Sequence, residues 1–333
     1  MNHSTSTFQE SPLKDPTELT SPGATISKTE TKGSKEGSKG GKAGKQKPKR
    51  TFKQMAVREA IKMSILLMII SPLMLFQFTR QLLFFPDTTN YDLKDPFKFI
   101  ESKLKTKVED VSFPSVTGEK LNALFFTREG AKKIFLMSHG NAGNVAHRLP
   151  QVVHFLNMGM SVLVYDYQGY GKSGGEPSVG GIINDGVAAY DYLRSHGWKA
   201  NQIVVYGESL GCAVSCQIAK QREVAGIILQ SGFSSLPSAA RDRFVWLNLY
   251  PDFTFPNPQL NNCTILAAQH APLLIIHGVK DFILPVKYGD EMYAKAIQPK
   301  RIVRLEHSGH NDLLNQDLKE YVACLSSFVK DLK

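Results

Sequence analysis

From about residue 105 onward, short apolar runs recur along the chain, most of them closed by glycine, proline or a polar residue. KVEDVSF (107–113) and KLNALFF (120–126) read as paired strands around Thr117-Gly118. KIFLMS (133–138), SVLVYDY (161–167), QIVVYG (202–207), VAGIILQS (224–231), PLLIIHG (272–278) and RIVRLE (301–306) follow. Runs this short, bounded by turn residues, predict strands covered on both faces. Helix-like segments lie between them near 145–158, 179–195, 210–221, 286–296 and 315–331. Strands alternating with helices predict an α/β fold with a mostly parallel, eight-stranded sheet and helices on both faces. Such sheets carry their sites at the C-terminal ends of the strands.

The N-terminal part follows other rules. Residues 31–50, TKGSKEGSKGGKAGKQKPKR, are almost without apolar side chains and cannot offset the entropy of ordering. Residues 1–60 therefore read as a disordered basic tail. It is either an electrostatic tether to anionic lipid or a solvated tail. Residues 63–79, MSILLMIISPLMLFQFT, are uncharged and bracketed by Lys62 and Arg80. With Leu82 to Phe85 as an extension, 61–85 predicts a transmembrane signal-anchor helix, and Pro72 is tolerable there. A cleaved signal peptide and a buried soluble helix are the competing readings. The long preceding region and the lack of an Ala-x-Ala site near 80–90 argue against cleavage. Basic residues crowd the N-terminal side. That predicts a cytoplasmic N-terminus with the domain from residue 86 onward across the membrane.

Charge changes this picture little. The net charge is +10, but residues 1–62 hold 13 Lys/Arg against 6 Asp/Glu, so only +3 remains for the rest. The basic balance belongs to the tail and does not predict nucleic-acid binding. Cys212, Cys216, Cys263 and Cys324 form neither a disulfide framework nor a zinc spacing. Cys212 and Cys216 read as small apolar packing residues of one helix. No metal or cofactor is implied.

The candidate chemistry centres on Gly207-Glu208-Ser209-Leu210-Gly211, which follows a strand and opens a helix. That context turns G-x-S-x-G into a sharp elbow presenting the serine hydroxyl at a helix N-terminus. A serine needs a base. His310, in the loop Ser308-Gly309-His310-Asn311-Asp312 after the last strand, is favoured over His307, which reads as part of the turn. The base needs an orienting acid. Asp281, just past the strand 272–278, is favoured over Asp252 and Asp290. Asp312 is too near His310 and reads as a helix cap. The order Ser209, Asp281, His310 agrees with the chain order of α/β-hydrolase triads. Oxyanion donors are expected from the backbone amides of Leu210 and Asn141, with Ala142 behind Asn141. The loop His139 to Asn144 also reads as a Gly-rich turn capping a helix.

SHGNAGN, YDYQGYGKSGGEPS, GESLG, IIHGVKD and GHND occur in that order. Together they resemble the α/β-hydrolase superfamily, over about 105–333. The likeness is greatest to membrane-anchored α/β-hydrolase-domain proteins and the serine-aminopeptidase-type domain. The resemblance implies the α/β-hydrolase fold, with Ser209 as nucleophile, Asp281 as acid and His310 as base. It does not choose among esterases, lipid hydrolases, thioesterases and peptidases.

Residues 232–271 hold Phe233, Phe244, Trp246, Tyr250, Phe253 and Phe255 with four prolines. They read as a short apolar cap over the pocket or as a loop packed on the sheet edge. The expected activity is hydrolysis of a carboxylic ester or thioester, on a small-molecule or lipid acyl substrate. A serine peptidase and a non-catalytic binding protein on the same fold are the alternatives. The sequence does not indicate an oligomeric state.

Overall fold

In the computed structural model, the eight apolar runs become eight strands of one sheet. The structure describes residues 51–255 and 260–332, without the side chains of 68, 71–80 and 82. The strands are β1 (Thr106–Pro114), β2 (Lys120–Arg128), β3 (Ile134–Ser138), β4 (Ser161–Tyr165), β5 (Ile203–Glu208), β6 (Gly226–Gln230), β7 (Leu273–Gly278) and β8 (Lys300–Leu305). Their spatial order is β1-β2-β4-β3-β5-β6-β7-β8. Only β2 runs antiparallel to its neighbours, β1 and β4. The other pairings are parallel.

The helices are α1 (Phe52–Leu83), α2 (Lys94–Leu104), α3 (Leu149–Asn157), α4 (Val179–Ser195), α5 (Leu210–Gln221), α6 (Leu236–Arg243), α7 (Asn262–Leu266), α8 (Lys287–Lys295), α9 (Leu313–Gln316) and α10 (Leu318–Asp331). Side chains alternate across β5 because successive strand residues face opposite sides. Ile203 and Val205 join the core under α4, α5, α7 and α8. Val204 and Tyr206 join the core under α2, α3 and α10. The sheet is thus buried on both faces, and each fully buried aliphatic side chain contributes about 1.5–3 kcal/mol relative to exposure.

Two boundaries differ from the sequence reading. Residues 52–60, assigned there to the disordered tail, belong to α1. The cause is a capping box at its start: Gln54 N–H donates to Thr51 Oγ1 at 3.4 Å, and Thr51 N–H donates to Gln54 Oε1 at 3.1 Å. At the other end α1 stops at Leu83 rather than 85. Phe85–Pro86 instead pairs in parallel with Ala142–Gly143. Residues 1–50, the rest of the predicted tail, lie outside the described residues. Among the described residues, no helix is long and apolar enough to cross a membrane. Much of the run 63–79, on which the anchor expectation rests, lies among the side chains outside the description.

The segment between β6 and β7 is partly helical among its described residues. It contains α6, two short 3-10 turns and α7. Leu247 and Phe255 are buried, while Val245, Trp246, Leu249 and Phe253 are exposed.

Candidate active site

The turn from β5 into α5 is dictated by contacts that admit no side chain two residues before or two residues after Ser209. A Cβ on Gly207 would lie 2.4 Å from the Gly211 carbonyl oxygen, and one on Gly211 would lie 1.9 Å from the Ser138 oxygen. Ser209 itself is held at φ 54° and ψ −113°, where a non-glycine residue stores backbone strain. Its N–H donates to the Gln230 carbonyl at 2.9 Å, which ties the elbow to the neighbouring strand. The hydroxyl thus stands at the N-terminus of α5.

His310 and Asp281 reach the serine from the loops after β8 and β7. Those loops are bound together, Val279 N–H donating to Leu305 O and Lys280 N–H to Ser308 O, both at 2.9 Å. Gly278 permits the approach, since a Cβ there would come within 2.4 Å of the Ser308 and Gly309 oxygens. His310 Nε2 lies 3.1 Å from Ser209 Oγ, and His310 Nδ1 lies 2.7 Å from Asp281 Oδ2. With Nδ1–H donating to the carboxylate, Nε2 is free to accept from the serine hydroxyl. The other Asp281 oxygen accepts from Ile283 N–H at 2.9 Å and Leu284 N–H at 2.8 Å. Burial alone would push the Asp281 carboxyl up. His277 and His310 beside it, together with the Leu284 amide, outweigh it and hold the pKa at about 2. Asp281 is therefore ionised throughout the neutral range.

Asp312 has a different task from the helix cap expected of it. It precedes α9 but makes no side-chain cap, and its Oδ1 instead accepts from Gly309 N–H at 2.6 Å. Asp317 accepts from His307 N–H at 3.0 Å and Ser308 Oγ at 2.6 Å. Two carboxylates thus fix the loop that carries His310. His307 is exposed in the turn.

The third part is the loop after β3. Ser138 pairs with Gly207 across β3 and β5, so His139 to Gly143 leave the sheet beside the elbow. A Cβ on Gly140 would lie 3.5 Å from Ser209 Cβ. The carbonyls of this loop are pinned in succession. The His139 oxygen accepts from Tyr167 OH at 2.7 Å, and the Gly140 oxygen from His139 Nδ1 at 2.7 Å. The Asn141 oxygen accepts from Phe85 N–H at 2.9 Å and Tyr170 OH at 2.7 Å. The Ala142 oxygen accepts from Arg148 Nη2 at 2.8 Å. In a planar trans peptide the next N–H points opposite to the carbonyl. The amides of Gly140, Asn141 and Ala142 therefore face away from the partners of the preceding carbonyls, while the Gly143 amide is taken by the Phe85 carbonyl in the parallel pairing. The Asn141 side chain is engaged elsewhere, with Nδ2 donating to Leu83 O at 3.2 Å.

All five residues singled out from the sequence lie in this region: Ser209, His310 and Asp281 in one hydrogen-bonded line, Leu210 directly after the serine, and Asn141 in the adjoining loop. The sequence reading missed the groups that hold them. Tyr165, Tyr167 and Tyr170 donate to or share bonds with Ser138, His139 and Asn141. Their spacing in YDYQGYG was the visible signal, because buried tyrosines need hydroxyl partners. His277, whose Nε2 donates to Leu284 O at 2.7 Å, steadies the Asp281 turn. A solvent-open depression of about 510 Å³, lined by Asn201, Arg222 and His270 among others, lies at the opposite end of the strands, away from the triad. Among the described residues, no group of three His, Cys, Asp or Glu could hold a metal ion.

The family described as "Serine aminopeptidase, S33" matches residues 129–265. An uncharacterized protein of Mycobacterium tuberculosis is 35% identical over 206 residues, 61% of this chain and 72% of that protein. The alpha/beta hydrolase domain-containing protein 17B of Xenopus tropicalis is 28% identical, over 68% of this chain and 77% of its own. A solved esterase of Pyrococcus furiosus shares the fold with a TM-score of 0.60 at 21% identity, covering 75% of this chain and 98% of its own. Strand order, elbow and relatives agree: the chain belongs to the α/β-hydrolase superfamily. Within it, the S33 match spans the β3 loop, the serine elbow and part of the segment after β6.

Proposed function

We propose that the protein is a serine hydrolase that cleaves carboxylic esters or thioesters through an acyl-enzyme. The observation that carries this is the line Ser209 Oγ–His310 Nε2 at 3.1 Å and His310 Nδ1–Asp281 Oδ2 at 2.7 Å. Ser209 attacks the acyl carbonyl while His310 takes its proton, and Asp281 stabilises the imidazolium. The amides of Leu210 and Asn141 hold the oxyanion. His310 then protonates the departing alcohol or thiol. It next takes a proton from water as that water attacks the acyl-enzyme, which releases the acid and restores Ser209.

The substrate class proposed is a lipidic or otherwise hydrophobic acyl group. Exposed Val245, Trp246, Leu249 and Phe253, in the segment after β6, and Phe282, next to Asp281, support it. So do the apolar run 63–79 and the basic tail, which support a single-pass membrane attachment with a cytoplasmic N-terminus. The S33 match favours a second reading, an aminopeptidase. That chemistry needs an acidic group for the substrate amine. Glu208, the acid nearest the serine in sequence, is instead paired with Arg148 at 3.4 Å.

The test is labelling of the full chain with a fluorophosphonate probe, wild type against Ser209→Ala. Labelling that vanishes in the variant supports the reading, and a folded wild type that does not label refutes it. Turnover of aminoacyl arylamides without turnover of acyl esters would replace it with the peptidase.

A further inference from the structure

The guanidinium of Arg148 joins the two segments from which the oxyanion donors are drawn. Nη2 donates to the Ala142 carbonyl at 2.8 Å, and Nη1 lies 3.4 Å from Glu208 Oε1. Ala142 belongs to the loop after β3, and Glu208 directly precedes the serine. Both side chains are largely buried, Arg148 at 17% and Glu208 at 14% exposure. Glu208 Oε1 also lies 3.3 Å from the position of a Cβ on Gly140, so a carboxylate sits against the loop itself. A negative group there opposes the negative charge that develops on an acyl oxygen, and in a dry site that opposition is weakly screened. Arg148 neutralises it through Nη1, while Nη2 holds the Ala142 carbonyl in the loop that carries the Asn141 amide.

We infer that Arg148 is a positioning residue for the oxyanion-binding loop. It clamps Ala142 to Glu208 and cancels the Glu208 charge beside the nucleophile. The inference rests on the serine-hydrolase reading for its catalytic consequence, but not for the clamp. Arg148 touches no reacting atom. It acts through the loop and through Glu208.

Two readouts separate the clamp from general support of the fold. The first is hydrogen exchange of the peptide covering 139–144 in the full chain. Arg148→Met frees the Ala142 carbonyl and speeds exchange in that peptide, while peptides of β5 and β6 keep the wild-type rate. The second is the rate of fluorophosphonate labelling at Ser209 in wild type, Arg148→Met, Arg148→Lys, Glu208→Gln and the double variant Arg148→Met/Glu208→Gln. Arg148→Met is expected to slow labelling about tenfold, with an ester KM unchanged, because the loss falls on the transition state. The double variant should regain severalfold, since it removes the unpaired carboxylate. Arg148→Lys supplies a point charge without the fork, so its rate should fall between wild type and Arg148→Met. A folded Arg148→Met variant with wild-type exchange and labelling overturns the inference. So does a double variant no faster than Arg148→Met. If Arg148→Met does not fold, Arg148→Lys decides: wild-type exchange across 139–144 together with a wild-type labelling rate overturns it. A wild type that does not label would sink the hydrolase reading and leave the exchange test of the clamp standing.

Discussion

The Tyr170 hydroxyl donates to the Asn141 carbonyl at 2.7 Å, on the same oxygen that accepts from Phe85 N–H at 2.9 Å. One carbonyl is thus held by a side chain from the loop after β4 and by the backbone that leaves α1. Tyr170→Phe removes the hydroxyl and leaves the ring and the Phe85 contact. A hydrogen bond of this kind contributes about 1 kcal/mol. The expected result is a kcat about fivefold lower for a soluble ester, with KM unchanged. Steady-state kinetics of the variant check it, and a fall confined to KM would contradict it.

Asp281→Asn should be far more severe. Asparagine can turn its amide toward His310 and favour the wrong tautomer. A loss of about 10³–10⁴ in kcat is expected with the fold intact. Labelling rate and circular dichroism on the same sample measure the two separately.

At the elbow, Gly211→Ala tests packing rather than chemistry. The new Cβ would come within 1.9 Å of the Ser138 oxygen, backbone that cannot move without separating β3 from α5. Destabilisation of about 3 kcal/mol or more is expected, read as a lower urea midpoint or failure to accumulate folded protein.

Acid should stabilise one buried group. Burial pushes the Asp185 carboxyl up to about 6, against two lowering hydrogen bonds from Gln168. The native state therefore takes up this proton before the unfolded chain does. Its contribution to stability grows by about 1 kcal/mol from pH 7 to pH 5 and is lost again as pH rises through 6. Urea titrations at the two pH values should show this gain in wild type and not in Asp185→Asn. An equal slope in both would place the effect elsewhere.

The strands were legible because each is a short apolar run with a turn residue at its end, and α4 and α5 begin and end where the spacing predicts. α2 was not read. Only Ile100 of its residues is fully buried, so its sequence looks like polar linker. The Phe85–Pro86 pairing was invisible because its partner lies more than fifty residues away and both strands are two residues long. Ser209, His310 and Asp281 were legible because strand ends converge in such a sheet. The holders were not. Arg148 stands in an unremarked His-Arg-Leu-Pro stretch, and only the fold shows that its fork spans Ala142 and Glu208. Asp312 was assigned to the helix it precedes. Its carboxylate accepts from Gly309 N–H instead, three residues back, and the sequence does not rank those two acceptor roles.

The parallel pairing of Phe85–Pro86 with Ala142–Gly143 bears on how the protein can be produced. A shortened form beginning after residue 88 would discard a hydrophobic segment and also remove the Phe85 amide from the Asn141 carbonyl and the Asp87 amide from the Gly143 carbonyl. Such a form could be well behaved in solution and still catalytically impaired, and its weak turnover would be misread as a property of the enzyme. Expression designs that begin upstream of Leu83 keep the strand.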